Sequence, residues 1–296
     1  MAGPLAAALL AALAAGPAAA TPEGGWLTSV DEALAVAGGE DRYVLVDLYA
    51  EWCGWCKELE RQVLETPEFR RWAEDFVLLW VDVEDGGQGS ELQARFGATS
   101  LPTTLVLAAA GGGEPVKVGE VMGFHPTGRF IAALEAEIAA YGSLIELYDR
   151  VRRSPEVRRR DDSALRLQLA EDFHQRGDGL RAAVLYEQLL AAVTGGAGGA
   201  AAWLHYQAAD ARRLGGELGA AENHLERARV MVRTLGDGDL SERLDLLSFQ
   251  IAGARGDCHQ MMTSLEMFLA NHPRSPHSRH ARRTLEEIRE SGGSKC

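Results

Sequence analysis

Beyond its first 20 residues, the sequence lacks a hydrophobic run as long as the roughly 20 residues that cross a bilayer. Those first residues have no charged side chain, contain an apolar run from Leu5 to Ala15 and end in Ala18-Ala19-Ala20. The pattern is typical of a secretory signal peptide, although no Lys or Arg precedes the apolar run. We expect cleavage of residues 1–20 and a mature chain that is soluble in the periplasm or another exported compartment.

Cysteine is also scarce, with 4 in 296 residues. So few cysteines exclude a disulfide-rich scaffold, in which cross-links replace a large hydrophobic core. Hydrophobic residues make up 46% of the chain, which is typical of a soluble globular protein and enough to bury a sizeable core. The length suits two domains better than one.

The first half of the chain is poor in positive charge. Residues 21–142 contain 8 Lys and Arg against 21 Asp and Glu, a net charge of −13, whereas residues 143–296 contain 22 of each kind. Binding to phosphate backbones needs clustered cations, so we expect no nucleic-acid partner.

Short apolar runs alternate with amphipathic segments between residues 42 and 140. Runs rich in β-branched and aromatic residues predict strands covered on both faces, at 43–49 (YVLVDLY), 76–83 (FVLLWVDV) and 103–109 (TTLVLAA), with a weaker strand at 116–122. Helical periodicity covers 53–65, restarts at Thr66-Pro67 through Trp72, and returns from Pro126 to about Tyr141. The order of these elements predicts an α/β fold with a mixed sheet flanked by helices.

After Tyr141 the strand signals stop and a helical repeat begins. Three turns containing glycine are followed by apolar or small residues at offsets of five, nine and twelve. The copies are Gly177 with Ala182, Tyr186 and Leu189; Gly216 with Ala221, Leu225 and Ala228; and Gly256 with Met261, Leu265 and Phe268. This spacing resembles the tetratricopeptide repeat, and a generic stack of helical hairpins is the alternative.

Cys53 and Cys56 form a C-x-x-C motif, which serves zinc sites and redox sites alike. Zinc needs four ligands, yet the other cysteines, Cys258 and Cys296, lie in the helical half. A purely structural staple would close almost no loop. A redox pair fits better, because a cysteine in the first turn of a helix after a strand faces unpaired N–H groups that lower its pKa. Cys53 is then the nucleophile, and Cys56 resolves the mixed disulfide.

The segment VDLYAEWCGWCK (46–57) resembles the active-site segment of the thioredoxin superfamily. The wider stretch from about Tyr43 to Leu134 is especially similar to the C-terminal exported domain of DsbD-type thiol:disulfide interchange reductases. The resemblance covers about a third of the chain and implies a redox-active disulfide between Cys53 and Cys56, with no further cofactor and no metal. From this resemblance together with the residue patterns described above, we expect a signal peptide at 1–20, a thioredoxin-like domain at 21–142, a linker helix at 143–160 and tetratricopeptide-like repeats at 161–296.

Further site residues are implied where the sequence matches the family. Asp47 corresponds to a buried acid with a raised pKa that exchanges protons with Cys56. Pro102 corresponds to a cis-proline that brings the main chain of Leu101 beside the cysteines to pair with an extended substrate. We expect Trp52 and Trp55 to contact substrate as well, with core packing as an equal alternative for Trp52.

Two positions depart from the family pattern. Gly54-Trp55 replaces the Gly-Pro of thioredoxin itself, and because this dipeptide helps to set the redox potential, the direction of electron flow is open. The second strand lacks the lysine that many thioredoxins place near the buried acid, and we expect Leu78 in its place.

These features predict an exported thiol:disulfide oxidoreductase that reduces client disulfides and receives electrons from a membrane donor. The tetratricopeptide-like half would bind a protein client or redox partner. Disulfide isomerase and a non-enzymatic assembly adaptor are the alternatives. Cys258 and Cys296 could form a second disulfide in an oxidising compartment, and a buried free Cys258 is the alternative.

Overall fold

The computed structural model describes residues 25–110, 114–153, 160–193 and 198–291. The predicted signal peptide at 1–20 and Cys296 lie outside these ranges, so signal cleavage and a Cys258–Cys296 disulfide stay predictions. Within the described ranges, no helix is both long enough and apolar enough to span a membrane.

The first half alternates helices and strands. In chain order its elements are α1 (Val30–Glu40), β1 (Tyr43–Tyr49), α2 (Gly54–Leu59), a π-helical turn (Glu60–Leu64), α3 (Pro67–Trp72), a 3-10 turn (Ala73–Asp75), β2 (Phe76–Asp82), α4 (Gln88–Phe96), β3 (Thr103–Ala108), β4 (Val116–Met122) and α5 (Thr127–Arg153).

The four strands form one mixed sheet in the order β2-β1-β3-β4. Strand β1 pairs with β2 in parallel, and β3 is antiparallel to both β1 and β4. All five interior residues of β1 are buried, as the continuous apolar run predicts for a central strand with helices on both faces. The sheet therefore places the carboxyl ends of β1, β2 and β4 and the amino end of β3 at one edge, which we call the active edge.

Local capping explains where the helix after β1 breaks. The Thr66 hydroxyl accepts a hydrogen bond from the Phe69 N–H at 3.2 Å, and Pro67 occupies the first turn of α3. The predicted restart at Thr66-Pro67 is confirmed. No helix is predicted at α1, whose buried positions are Val30, Ala33 and Ala37, because alanines carry a weak amphipathic signal.

Helix α5 continues to Arg153, so the helix predicted to end at about Tyr141 and the first part of the linker helix predicted at 143–160 form one continuous helix. Tyr141 and Tyr148, seven residues apart and so on one helix face, are both buried. The rings of Tyr148 and of Phe173 in the next helix pack edge to face, with 5.3 Å between their centroids. Burial of this face against the second half therefore carries the helix through the first part of the predicted linker.

The described residues of the second half form helices joined by turns, with no strand among them. Its helices are α6 (Arg160–Gln175), α7 (Gly179–Ala192), α8 (Gly198–Leu214), α9 (Leu218–Leu235), α10 (Gly238–Arg255), α11 (Cys258–Asn271) and α12 (Ser278–Glu290). Each helix packs against its neighbours in sequence. This confirms a thioredoxin fold followed by a helix-rich region.

The predicted repeat spacing coincides with equivalent turns. Gly177, Gly216 and Gly256 all adopt left-handed backbone, with φ of 80°, 77° and 68°. All nine residues at the repeat offsets are buried: Ala182, Tyr186, Leu189, Ala221, Leu225, Ala228, Met261, Leu265 and Phe268. The second half therefore contains repeated helical hairpins, whose tetratricopeptide identity stays a prediction.

The first of these turns docks on strand β4. The Lys117 N–H donates to the Arg176 carbonyl at 2.7 Å, and the Arg176 guanidinium donates to the carbonyl of Val118 at 2.9 Å. Tyr141 donates to Asp178 at 2.9 Å. The end of α6 thus docks on the outer side of β4 through a main-chain and a side-chain hydrogen bond.

Candidate active site

A disulfide joins Cys53 and Cys56 at the active edge, directly after β1. Both residues are buried, with 4% of their surface exposed. Cys53 is the N-cap of α2, and its Sγ accepts a hydrogen bond from the Cys56 N–H at 3.1 Å. A Cys53 thiolate formed on reduction would accept the same bond and face the positive end of the helix, so this position favours the ionised sulfur.

Asp47 lies in the interior of β1 with 1% of its surface exposed. The pKa of its carboxyl group is raised to about 7, chiefly by burial and in smaller part by the nearby Glu60 carboxylate, while hydrogen bonds from Thr104 and Trp80 oppose the rise. The Thr104 hydroxyl donates to Asp47 Oδ1 at 3.4 Å. Asp47 can therefore take up or release a proton near neutral pH.

The residue opposite Asp47 on β2 is Trp80, so the expectation of Leu78 at this place is wrong. In the parallel register Asp47 pairs with Trp80, and Leu78 pairs with Leu45. Leu78 and Trp80 share one face of β2 because side chains alternate along a strand, so periodicity alone does not separate them. The Trp80 ring also stacks on the Tyr49 ring, with 3.7 Å between the ring centroids.

Glu60 is an acid near the site that is not predicted from the sequence. It begins the π-helical turn, one helical turn after Cys56, and is half-buried. Burial and the Glu65 carboxylate raise the pKa of Glu60, while Lys57 lowers it. The i, i+4 spacing from Cys56 is a signal that could have found it.

The peptide bond between Leu101 and Pro102 is cis, as the sequence predicts. The Pro102 carbonyl accepts a hydrogen bond from Gly123 at 2.8 Å, which ties this loop to the end of β4. The main-chain N–H and C=O of Leu101 make no hydrogen bond within the described part of the chain. They are thus available to an extended peptide.

Both predicted substrate-contacting tryptophans lie at the surface. Trp52 is 68% exposed and Trp55 is 63% exposed, which contradicts core packing for Trp52. The rings of Trp55 and Phe124 pack together with 5.8 Å between their centroids. Met122, two residues before Phe124, is 51% exposed. Met122 and Phe124 are not predicted from the sequence as site residues. They are about 70 residues from the cysteines in the chain, and only the pairing of β4 with β3 and of β3 with β1 brings them to the same end of the sheet.

In the described ranges, no group of three or more His, Cys, Asp and Glu side chains is placed so that it could bind a metal ion. The prediction of a site without metal or additional cofactor stays untested.

A family model described as thioredoxin-like matches residues 25–109. Among curated proteins, the thiol:disulfide interchange protein DsbD of Ralstonia nicotianae is 38% identical over 109 residues, which is 36% of this chain and 17% of that protein. DsbD of Cronobacter sakazakii is 37% identical over 106 residues, 36% of this chain and 18% of the relative. The chain thus spans less than a fifth of the length of these curated relatives.

Among solved structures, a thioredoxin from Thermus thermophilus aligns with a TM-score of 0.36 and 28% identity, over 40% of this chain and 93% of that one. The oxidised C-terminal domain of Neisseria meningitidis DsbD aligns with a TM-score of 0.32 and 23% identity, over 38% and 98% of the two chains. The residues that match the thioredoxin-like family model include Cys53 and Cys56. The chain therefore contains a thioredoxin-like domain that is homologous to part of DsbD and is followed by a helix-rich region.

Proposed function

We propose that this protein is an exported thiol:disulfide oxidoreductase that reduces disulfides of client proteins. The observation that carries the proposal is the position of Cys53, which caps a helix while Asp47, an acid with a pKa of about 7, is buried in the preceding strand. This combination supplies a stabilised thiolate and a proton acceptor that works near neutral pH.

The reaction consumes one dithiol and one client disulfide. The Cys53 thiolate attacks a client sulfur, which forms a mixed disulfide and releases the first client thiolate. Asp47 then accepts the proton of the Cys56 thiol, and the resulting thiolate attacks Cys53 Sγ. This step forms the Cys53–Cys56 disulfide and releases the second client thiolate, so two electrons pass to the client. The released client thiolates take up protons according to their own pKa values.

Substrate positioning involves the free main chain of Leu101 and the exposed Trp52 and Trp55. An extended client segment pairs with Leu101 through main-chain hydrogen bonds, in the manner of an added strand. The exposed rings supply apolar contact beside the disulfide. The helical half holds a protein client or redox partner, as tetratricopeptide-like hairpins do.

Reduction of clients outside the cytoplasm needs a supply of electrons, so we propose a membrane protein as the donor that regenerates the dithiol. The measured reduction potential of the Cys53–Cys56 couple tests the direction. A value near about −270 mV supports a reductase, and a value near about −120 mV contradicts it. An intermediate value with rescue of scrambled clients supports the isomerase instead.

Trapping identifies the client directly. In Cys56→Ser the resolving thiol is missing, so the mixed disulfide on Cys53 should persist and be recovered with the client under non-reducing conditions. Cys53→Ser with Cys56→Ser is the matched control and should recover nothing covalently. A cellular phenotype that survives Cys53→Ser would contradict the enzyme and support the adaptor.

A further inference from the structure

The active edge carries an exposed apolar surface around the disulfide. We define this apolar platform as Trp52, Trp55, Met122 and Phe124. Trp52, Trp55 and Met122 are each more than half exposed, and the rings of Trp55 and Phe124 hold helix α2 against the loop after β4. Large apolar side chains that cluster at a protein surface mark a binding site.

Strand β2 brings an acidic loop to the same edge. Because β1 and β2 are parallel, their carboxyl ends meet, and the Val83 N–H donates to the Tyr49 carbonyl at 2.9 Å. The residues that follow include Glu84 and Asp85, both exposed. The acidic loop therefore lies beside the segment that carries the cysteines.

Negative charge dominates the four segments that meet at this edge, residues 50–57, 82–90, 97–102 and 122–126. They contain four carboxylates, Glu51, Asp82, Glu84 and Asp85, against one ammonium group, that of Lys57. The pKa of the Tyr49 hydroxyl is consistent with this negative charge. Burial, and then the carboxylates of Asp82 and Glu51, raise it to about 12. The platform thus has an acidic rim.

We propose that the client segment is cationic and carries a bulky apolar side chain next to its reactive cysteine. This inference rests on the proposed function and specifies its substrate class. The apolar side chain contacts the tryptophans and Met122, while Lys or Arg residues on either side face the acidic rim. The rim attracts such segments and repels acidic ones, which gives selectivity in addition to a faster encounter.

Matched disulfide peptides test the substrate class. The peptides share one loop and differ only beside the cysteine, with leucine or serine at the adjoining position and a pair of lysines or of glutamates next to it. The measured quantity is the second-order rate constant of single-turnover reduction by the pre-reduced protein. At low salt we expect the lysine peptides to react about tenfold faster than the glutamate peptides, with a ratio that falls as salt rises.

Variants connect this preference to the named residues. In Glu51→Gln with Glu84→Gln, the lysine-to-glutamate ratio should fall about threefold or more. The control, Glu74→Gln with Asp75→Asn, removes two exposed carboxylates before β2, at the opposite end of that strand, and should keep the ratio. Trp55→Ser should lower the preference for leucine over serine.

Equal rates for lysine and glutamate peptides, or a ratio that both double variants lower alike, would overturn the inference and leave the oxidoreductase intact. If the reduced protein reacts with none of the peptides, the proposed function itself fails.

Discussion

At the scale of single residues, the buried acid Asp47 makes stability depend on pH. Its pKa rises from 3.8 to about 7 on folding, so the folded protein holds this proton more tightly than the unfolded chain. The stabilisation is fully present below pH 3.8 and is lost as the pH rises through about 7. A shift of roughly three pH units corresponds to about 4 kcal/mol.

Asp47→Asn removes this ionisation. We expect the variant to gain stability relative to the natural chain between pH 5 and pH 8, because the natural chain alone must bury a charge at the higher pH. Urea unfolding of both oxidised proteins at the two pH values measures the difference. A stability difference that does not change with pH would contradict the raised pKa.

The same substitution removes the carboxylate that we propose as the proton acceptor for Cys56. The natural protein should reduce client disulfides faster as the pH rises through about 7, since the Asp47 carboxylate then becomes available. Asp47→Asn should be slower by about a hundredfold and should lose this dependence. Glu60→Gln, which lowers the pKa of Asp47 by removing a nearby carboxylate, should move the midpoint to lower pH and keep the dependence.

At the scale of elements, the hairpin turns of the second half depend on glycine where helices approach closely. A Cβ on Gly179 would lie 2.1 Å from the Ala211 carbonyl oxygen and 2.6 Å from the Gly215 nitrogen, both main-chain atoms. Helix α7 can therefore start against the end of α8 only without a side chain at this position.

Gly179→Ala should destabilise the protein by about 1–3 kcal/mol, because main-chain atoms must move apart. The matched control is Gly219→Ala in α9, where a Cβ would meet nothing within 4 Å. The control should be stabilising by about 0.5–1 kcal/mol, since alanine favours helix more than glycine does. Thermal or urea unfolding measures the change in the free energy of unfolding, which should be negative for Gly179→Ala and positive for Gly219→Ala. The same sign for both variants would contradict the close approach of the helices.

At the scale of the whole molecule, a shared hydrophobic cluster joins the first half to helices α6, α7 and α8 of the second half. One cluster of buried residues runs from Trp26 and Phe69 in the first half to Tyr186 and Ala208 in the second. Polar contacts reinforce it: Glu114 pairs with Arg95 of the first half and with Arg213 of the second, the latter at 2.8 Å. The natural chain should therefore unfold in one transition.

Arg176→Ala removes the guanidinium that binds the β4 carbonyls, and we expect a loss of about 1–3 kcal/mol. Five of the six tryptophans lie in the first half, so fluorescence follows that half, whereas far-UV circular dichroism follows the helices of the second. The two signals should coincide in the natural chain and separate in the variant. Arg153→Ala, at a side chain that is 72% exposed, is the control and should leave both unchanged.

Local sequence patterns predicted much of the fold and the centre of the site. The continuous apolar runs marked the strands closely, because a central strand must be apolar on both faces. The C-x-x-C pair is a short motif whose geometry is mostly local, whereas the buried acid Asp47 and the cis-proline Pro102 were expected from the resemblance to the thioredoxin superfamily. By contrast, the continuity of α5 with the predicted linker helix is accompanied by burial of Tyr148 against Phe173, a partner that no pattern within α5 identifies.

What the sequence by itself determined is the class of domain and the identity of the sulfur chemistry, since both reside in contiguous segments. Only the tertiary structure decided that Trp80 rather than Leu78 faces Asp47, that Met122 and Phe124 join Trp55, and that an acidic loop borders the disulfide. The physical reason is that strand register and sheet order join segments far apart in the chain, and the free energy of those pairings depends on both partners at once.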